Sequence, residues 1–298
     1  MDAIINDVLQ NLDAFMLIFI RITALIIASP IFGRSNIPNF AKIGLCLMIT
    51  YIVFLADAKV ASVAVNGAVG YLLLCLKEFL FGMVLGYVTT LFFSIVQTAG
   101  HMIDMQMGFG MVNIFDVQNN ISVPVSGNFL YVALMMCFFI TNGHQKLIYI
   151  LIQTFDYVPA GGVVLSAQLG VAALEVFVLA FLLAVNVAIP MMASGLLGEM
   201  LLGFIVRTTP QMNVFVVGIP LKVLLGFVVL FAMMPVFIPF TDVIFQQMFS
   251  AIDYMFKGLV GAAWALRMAA RAKKPKKRPQ SEEGTHAKKG RSSKARIW

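Results

Sequence analysis

Between residues 169 and 206 the chain runs for 38 positions with only two charged side chains, Glu175 and Glu199. Such a segment must be kept from water, and away from water every backbone N–H and C=O needs a partner inside the protein. No period-two alternation of useful length accompanies it, so helix is the expected form. Pro190 lies near its middle, and the missing N–H should kink or split it.

Comparable stretches recur along the chain. Residues 12–32 form an apolar run interrupted by Asp13 and Arg21, and a polar turn with Gly33, Arg34, Asn36 and Pro38 ends it. Residues 42–55 are shorter and are followed by Asp57 and Lys59, while residues 70–97 are long and carry Lys77 and Glu78 near their start. Gly82 and Gly86 in that third run have the spacing that lets a second helix approach closely. Residues 127–141 are short for a full span, since crossing hydrocarbon takes about 20 apolar residues. Residues 145–155 read as a helix ended by Asp156 and Pro159. Residues 215–240 contain Pro220, Pro235 and Pro239, and residues 241–266 read as a separate amphipathic helix with Asp242, Gln246, Gln247, Asp253 and Lys257 on its polar positions. The body is therefore all-α: a polytopic, hydrophobic helical membrane protein with kinked helical hairpins.

Charge supports this reading and divides the chain. Hydrophobic residues make up 60% and charged residues 12%, about half the charge of an average globular chain, which excludes a free soluble globule. The net charge of +7 is unevenly placed: residues 266–298 hold 12 Lys and Arg against 2 acidic residues, leaving a mildly acidic body. Residues 1–265 are thus one helical unit, and residues 266–298 are a basic, low-complexity tail expected to be disordered. Basic segments beside apolar helices stay on the cytoplasmic side and are drawn to anionic headgroups. A nucleic-acid arm competes for the tail, but no aromatic residues interleave with the basic ones apart from Trp298. The three cysteines, Cys46, Cys75 and Cys137, sit in apolar runs without metal or redox spacing and read as packing residues. Asp2 and Asp7 with no basic residues beside them argue against a cleaved signal peptide.

Enzyme chemistry finds no support. The histidines are His101, His144 and His286, and no metalloprotease helix, nucleophile elbow or phosphate-binding loop is present, so no catalytic residue, cofactor or metal is expected. His101 and Asp104 lie one helical turn apart and suggest a local hydrogen bond. Arg21, Lys77, Glu78, Glu175, Glu199 and Arg207 are costly in apolar helices and should be paired or functional. A small-solute secondary transporter would use such groups, but it would also show paired broken helices, and Pro190 near Asn186 has no counterpart in the first half.

Residues 101–125 differ from the rest. Met102, Met105, Met107 and Met111 recur among Gly100, Gly108 and Gly110, with Phe109 and Phe115. The periodicity is poor, and the segment reads as a long internal loop. Methionine makes a deformable apolar surface and glycine a mobile backbone. The segment therefore reads either as plain loop packing or as a compliant seal that yields to an extended substrate.

Three motifs go beyond composition. Residues 97–108, Q-T-A-G-H-M-I-D-M-Q-M-G, follow the pattern A-G-x-x-x-D-x-Q-x-G. Arg207-Thr208-Thr209-Pro210-Gln211-Met212-Asn213-Val214-Phe215, followed by Gly218-Ile219-Pro220-Leu221-Lys222, follows R-x-x-P-Q-M-N-V-F…G-x-P-x-K. Arg21…Pro30…Ile37-Pro38…Lys42-Ile43-Gly44 is the third. In this order, over residues 10–265, they resemble the FliR/SctT family of type III secretion export-gate subunits; the complete P-Q-M-N-V-F form favours the flagellar branch, with the virulence injectisome as the alternative. One local departure is Val117, where many relatives have proline after the aspartate.

The resemblance implies a non-enzymatic subunit of a flagellar protein export gate in the inner membrane, at the flagellar basal body. It implies a FliP-like part followed by a FliQ-like part, assembled with FliP-like and FliQ-like subunits and served by FlhB- and FlhA-like components. Unfolded flagellar proteins would be the substrates, with membrane lipid around the assembly and no nucleic acid. Much of the apolar surface would then pack against sister subunits. The family's pore-facing plug maps onto Gln106, Met107, Gly108, Phe109, Gly110, Met111, Phe115 and Asp116, with Met105 at its edge. Arg207, Pro210, Gln211, Asn213, Phe215, Pro220 and Lys222 would form a structural motif, with Arg207, Gln211 and Asn213 fixing a turn by hydrogen bonds.

Overall fold

A computed structural model describes residues 11–56, 67–108, 124–163, 168–209 and 214–260. Its helices are α1 (Leu12–Ala28), α2 (Asn39–Leu55), α3 (Gly67–Met107), α4 (Val125–Ile140), α5 (Gly143–Tyr157), α6 (Gln168–Thr208) and α7 (Val214–Val260). The described residues are helical, as composition and periodicity indicate; the tail from residue 261 lies outside them.

The 41-residue α3 is the axis of the molecule, and α1, α4, α6 and α7 all pack against it. Its contact with α1 uses the glycine pair anticipated from spacing. A Cβ on Gly82 would fall 2.3 Å from the Arg21 carbonyl oxygen, and one on Gly86 would fall 2.2 Å from the Ala28 Cβ. The backbones touch there, and only glycine fits. Proline sets the other boundaries: Pro38 and Pro124, both extended, directly precede α2 and α4, where a missing N–H costs nothing.

Among the described residues three long apolar elements are able to cross a membrane by length and composition: α3, α6 and residues Val216–Phe256 within α7. The pair α4–α5, bent by 65° at its break, makes a fourth if taken together. The bend is built on Asn142, which adopts a left-handed backbone (φ 55°). Gly143 follows it because a Cβ there would meet the Phe138 ring at 2.4 Å.

The structure corrects two sequence expectations and narrows a third. Residues 101–107 are not loop; they are the last two turns of α3. The buried positions from Ala99 on, Ala99, Gly100, Ile103, Asp104 and Met107, keep helical spacing, and that contact outweighs the roughly 1 kcal/mol that a mid-helix glycine costs. Of the two outcomes expected at Pro190, a kink or a split, the split does not occur, because α6 runs through it. The proline stands exposed beside the equally exposed Asn186, so its ring clears the packed face, and the rest of the helix keeps its bonds because an apolar setting offers the backbone nothing better. For the same reason residues 214–260 form one helix through Pro220, Pro235 and Pro239, not two elements. The amphipathic reading of its second half holds: Ile244, Phe245, Met248, Phe249, Ile252 and Met255 are buried, while Asp242, Gln246, Gln247 and Asp253 face out.

The outer faces of α6 and α7 carry many exposed large apolar side chains, among them Phe177, Leu197, Phe204, Leu224 and Phe231. Apolar surface on this scale marks contact with lipid or protein. The cysteines are all free, with Cys46 buried.

Candidate functional site

The end of α3 is clamped by three other helices. Gly100 and the first turn of α4 meet so closely that a Cβ on Gly100 would lie 2.0 Å from the Gly127 Cα. One turn on, Asp104 accepts the Ser126 N–H at 3.2 Å, one of the backbone donors that a helix start leaves without an internal partner. The Ser126 hydroxyl donates to the Met107 sulfur at 3.6 Å. The buried Met107 is seated on bare backbone of α7, where a Cβ at Gly226 would strike it at 2.5 Å. Gln106 does the same on α6, 2.2 Å from a Cβ placed at Gly195. Its Nε2 is buried without a hydrogen-bond partner.

These glycines create a junction of α3, α4, α6 and α7 with room left over. An apolar cavity of about 280 Å³ opens beside it, lined among others by Gln106, Met107, Met191, Gly198, Leu202 and Lys222. Lys222 donates to Glu199 at 2.6 Å, tying α7 to α6 beside the cavity. Directly after the seat, Gly108 turns the chain out of α3 with φ +87°, a backbone that glycine adopts at no steric cost.

A second buried polar centre lies further back along α3. Arg21 donates from Nε to Glu78 at 2.5 Å, and from Nη1 to the Thr154 hydroxyl at 3.2 Å and the Val158 carbonyl at 3.0 Å. Glu78 also accepts the N–H of Gly161 at 2.7 Å. The guanidinium is sandwiched between the Phe81 and Phe155 rings, 4.4 and 4.2 Å from their centroids. Together these bonds hold α1, α3, α5 and the turn after α5 as one unit.

Of the plug residues, Met105 is exposed, Gln106 half-buried and Met107 buried on α3, with Gly108 at the turn. Phe109, Gly110, Met111, Phe115 and Asp116 lie outside the described residues. In the second motif Arg207 is exposed on the last turn of α6, while Pro210, Gln211 and Asn213 lie outside the described residues, so the turn they were expected to fix is not described. Phe215 belongs to α7, Pro220 is exposed within it and Lys222 makes the pair with Glu199. Of the charges expected to be paired or functional, Arg21 pairs with Glu78, Glu199 pairs with Lys222 and Glu175 accepts a hydrogen bond from Tyr254, while Lys77 and Arg207 form no ion pair among the described residues. Asp104 is used by Ser126, while His101 is exposed. Gly127, Gly195 and Gly226 escaped the sequence reading. The small residues Ser194, Gly195 and Gly198 in α6 carried a signal, since such clusters let helices meet closely.

The chain matches the family model described as bacterial export proteins, family 1, over residues 12–248. It is similar to the flagellar biosynthetic protein FliR of Bacillus subtilis, 33% identical over 237 residues that cover 78% of this chain and 90% of the relative. The FliR of Escherichia coli is 30% identical over 233 residues, 78% of this chain and 88% of that protein. The FliR of Aquifex aeolicus is 27% identical over 257 residues, 86% and 98% respectively.

Proposed function

The chain belongs to the bacterial export proteins, family 1, and from that premise we propose that it is a subunit of the flagellar type III protein export gate, forming part of the protein-conducting pore and carrying its plug on residues 106–116. The coarser statement, a membrane-embedded component of flagellar protein export, follows from the family and from the long apolar helices. The plug assignment draws support from one observation: α3 delivers Gln106 and Met107 into glycine seats on α6 and α7, then ends at Gly108. A rigid base directly before a methionine- and glycine-rich segment suits a constriction that must deform for an unfolded chain and reclose against ions. Hydrophobic constrictions block ions by shedding water, without needing a charged filter.

In this reading residues 1–265 form a FliP-like part followed by a FliQ-like part, packed with FliP-like and FliQ-like subunits and served by FlhB- and FlhA-like components. Rod, hook and filament proteins pass through unfolded. Arg207, Pro210, Gln211, Asn213 and Phe215 shape the connection that sets the direction of α7, a structural role. The basic tail lies on the cytoplasmic side of the inner membrane. A solute transporter fits less well, because α6 stays continuous through Pro190 and Glu78 and Glu199 are held in ion pairs.

Deleting the gene should abolish export of hook protein and flagellin, and the chain should co-purify with FliP- and FliQ-like subunits; intact export would refute the assignment. Deleting residues 108–114 should leave assembly largely intact and make the membrane leaky to ions. Unchanged ion permeability in cells carrying that deletion would remove the plug.

A further inference from the structure

The turn between α1 and α2 bears positive charge that no described acidic side chain pairs with. Residues 29–42 contain Arg34 and Lys42 and no acidic residue. Lys42 donates to the Gly33 carbonyl at 3.1 Å, while Arg34 forms no ion pair among the described residues. Arg34 instead holds its guanidinium over the face of Tyr131 on α4, 5.0 Å from the ring centroid. Such a contact fixes the direction of the side chain but leaves its N–H fork available.

An open apolar groove of about 330 Å³ begins beside that guanidinium, lined by Arg34, Val132, Met135, Met136, Phe139 and Ile140. The four side chains Val132, Met136, Phe139 and Ile140 are between 46% and 78% exposed. Their spacing puts them on one stripe of α4, about 12 Å long at the usual helical rise. A cation therefore heads a narrow apolar track on a helix that crosses hydrocarbon only together with α5.

We infer that this groove is a binding site for an anionic phospholipid, with its phosphodiester on the Arg34 fork and one acyl chain along Val132 to Ile140. Charge complementarity selects the occupant: guanidinium pairs bidentately with phosphate oxygens, and basic pockets between membrane helices take such headgroups. The wall is apolar and adaptable enough to follow an acyl chain, since methionine fills irregular surfaces. The site does not depend on the export role and would hold whether or not residues 106–116 form a plug.

The test uses the full chain, extracted with whatever subunits accompany it, and native mass spectrometry after exposure to dioleoylphosphatidylglycerol or dioleoylphosphatidylcholine. The wild type should retain the glycerol lipid in preference. Arg34→Gln should lower that retention about tenfold, the loss expected for one charge-assisted contact, and Arg34→Lys should keep part of it. Equal retention by wild type and Arg34→Gln would overturn the site. A photo-crosslinking residue at position 136, which leaves Arg34 intact, should label lipid in cell membranes. A crosslink to another protein instead would assign the groove to a neighbouring subunit and overturn the proposal.

Discussion

Arg21 and Glu78 lie 57 positions apart in the chain and meet at 2.5 Å with both side chains fully buried. Two charges removed from water are tolerated when they pair and find further hydrogen bonds. Thr154, Val158 and Gly161 supply such bonds and fix the turn after α5, while the Arg21 Nη2 is buried without a hydrogen-bond partner between the Phe81 and Phe155 rings.

Breaking this pair from one side should be severe. Arg21→Met leaves Glu78 buried without its cation, and Glu78→Met leaves the guanidinium without its carboxylate. Each should cost about 3–5 kcal/mol, seen as loss of folded protein in detergent-solubilised membranes. The double variant carrying both substitutions should recover much of the loss, because it buries no charge.

The Lys222–Glu199 pair should behave differently. Its side chains are 26% and 45% exposed, so neither charge is as fully enclosed as Arg21 and Glu78, and each depends less on its partner. Neutralising either residue should shift thermal stability far less than neutralising Arg21. The charge-swapped double variant, Lys222→Glu with Glu199→Lys, should match the wild type.

At the end of α3, Gly100→Ala should destabilise even though alanine is the better helix former by about 1 kcal/mol. The added methyl would meet Gly127 at 2.0 Å and push α4 away from α3. Overpacking of this kind costs about 1–3 kcal/mol. A melting temperature that rises in Gly100→Ala would show that the two helices are not in contact there.

The seat of Met107 gives a coupled pair. Gly226→Ala alone should be destabilising, because its methyl would meet Met107 at 2.5 Å. In a Met107→Ala background the same substitution should cost much less. A double-mutant cycle should return an interaction energy of about 0.5–3 kcal/mol, and additivity would remove Met107 from that seat.

Much of the fold was legible before any coordinates. The helical class and the close approach at Gly82 and Gly86 follow from local rules about glycine and apolar run length. So does the outward set Asp242, Gln246, Gln247 and Asp253 on α7. The errors share one cause. Residues 101–107 and the boundary after Pro239 look like breaks in the sequence because glycine and proline weaken isolated helices. Here their neighbours reversed that tendency: Gly127 receives Gly100, and the prolines stand exposed on α6 and α7.

The candidate site was legible only in part. Its methionines, its glycines and the family motif mark residues 105–116, and Asp104 and Gln106 fall inside the motif. Gly195 and Gly226, which receive Gln106 and Met107, lie about 90 and 120 residues further along, with no local pattern to connect them.

The sequence by itself determined that this chain is a bundle of apolar helices with a basic tail, since hydropathy, helical period and charge placement are properties of neighbouring residues. Tertiary structure alone decided that Glu78 would answer Arg21, and that Gln106 and Met107 would rest on bare backbone of α6 and α7. Such pairings depend on which helix faces lie a few ångströms apart. Contact energies fall off over that distance, so only the packed molecule can set them.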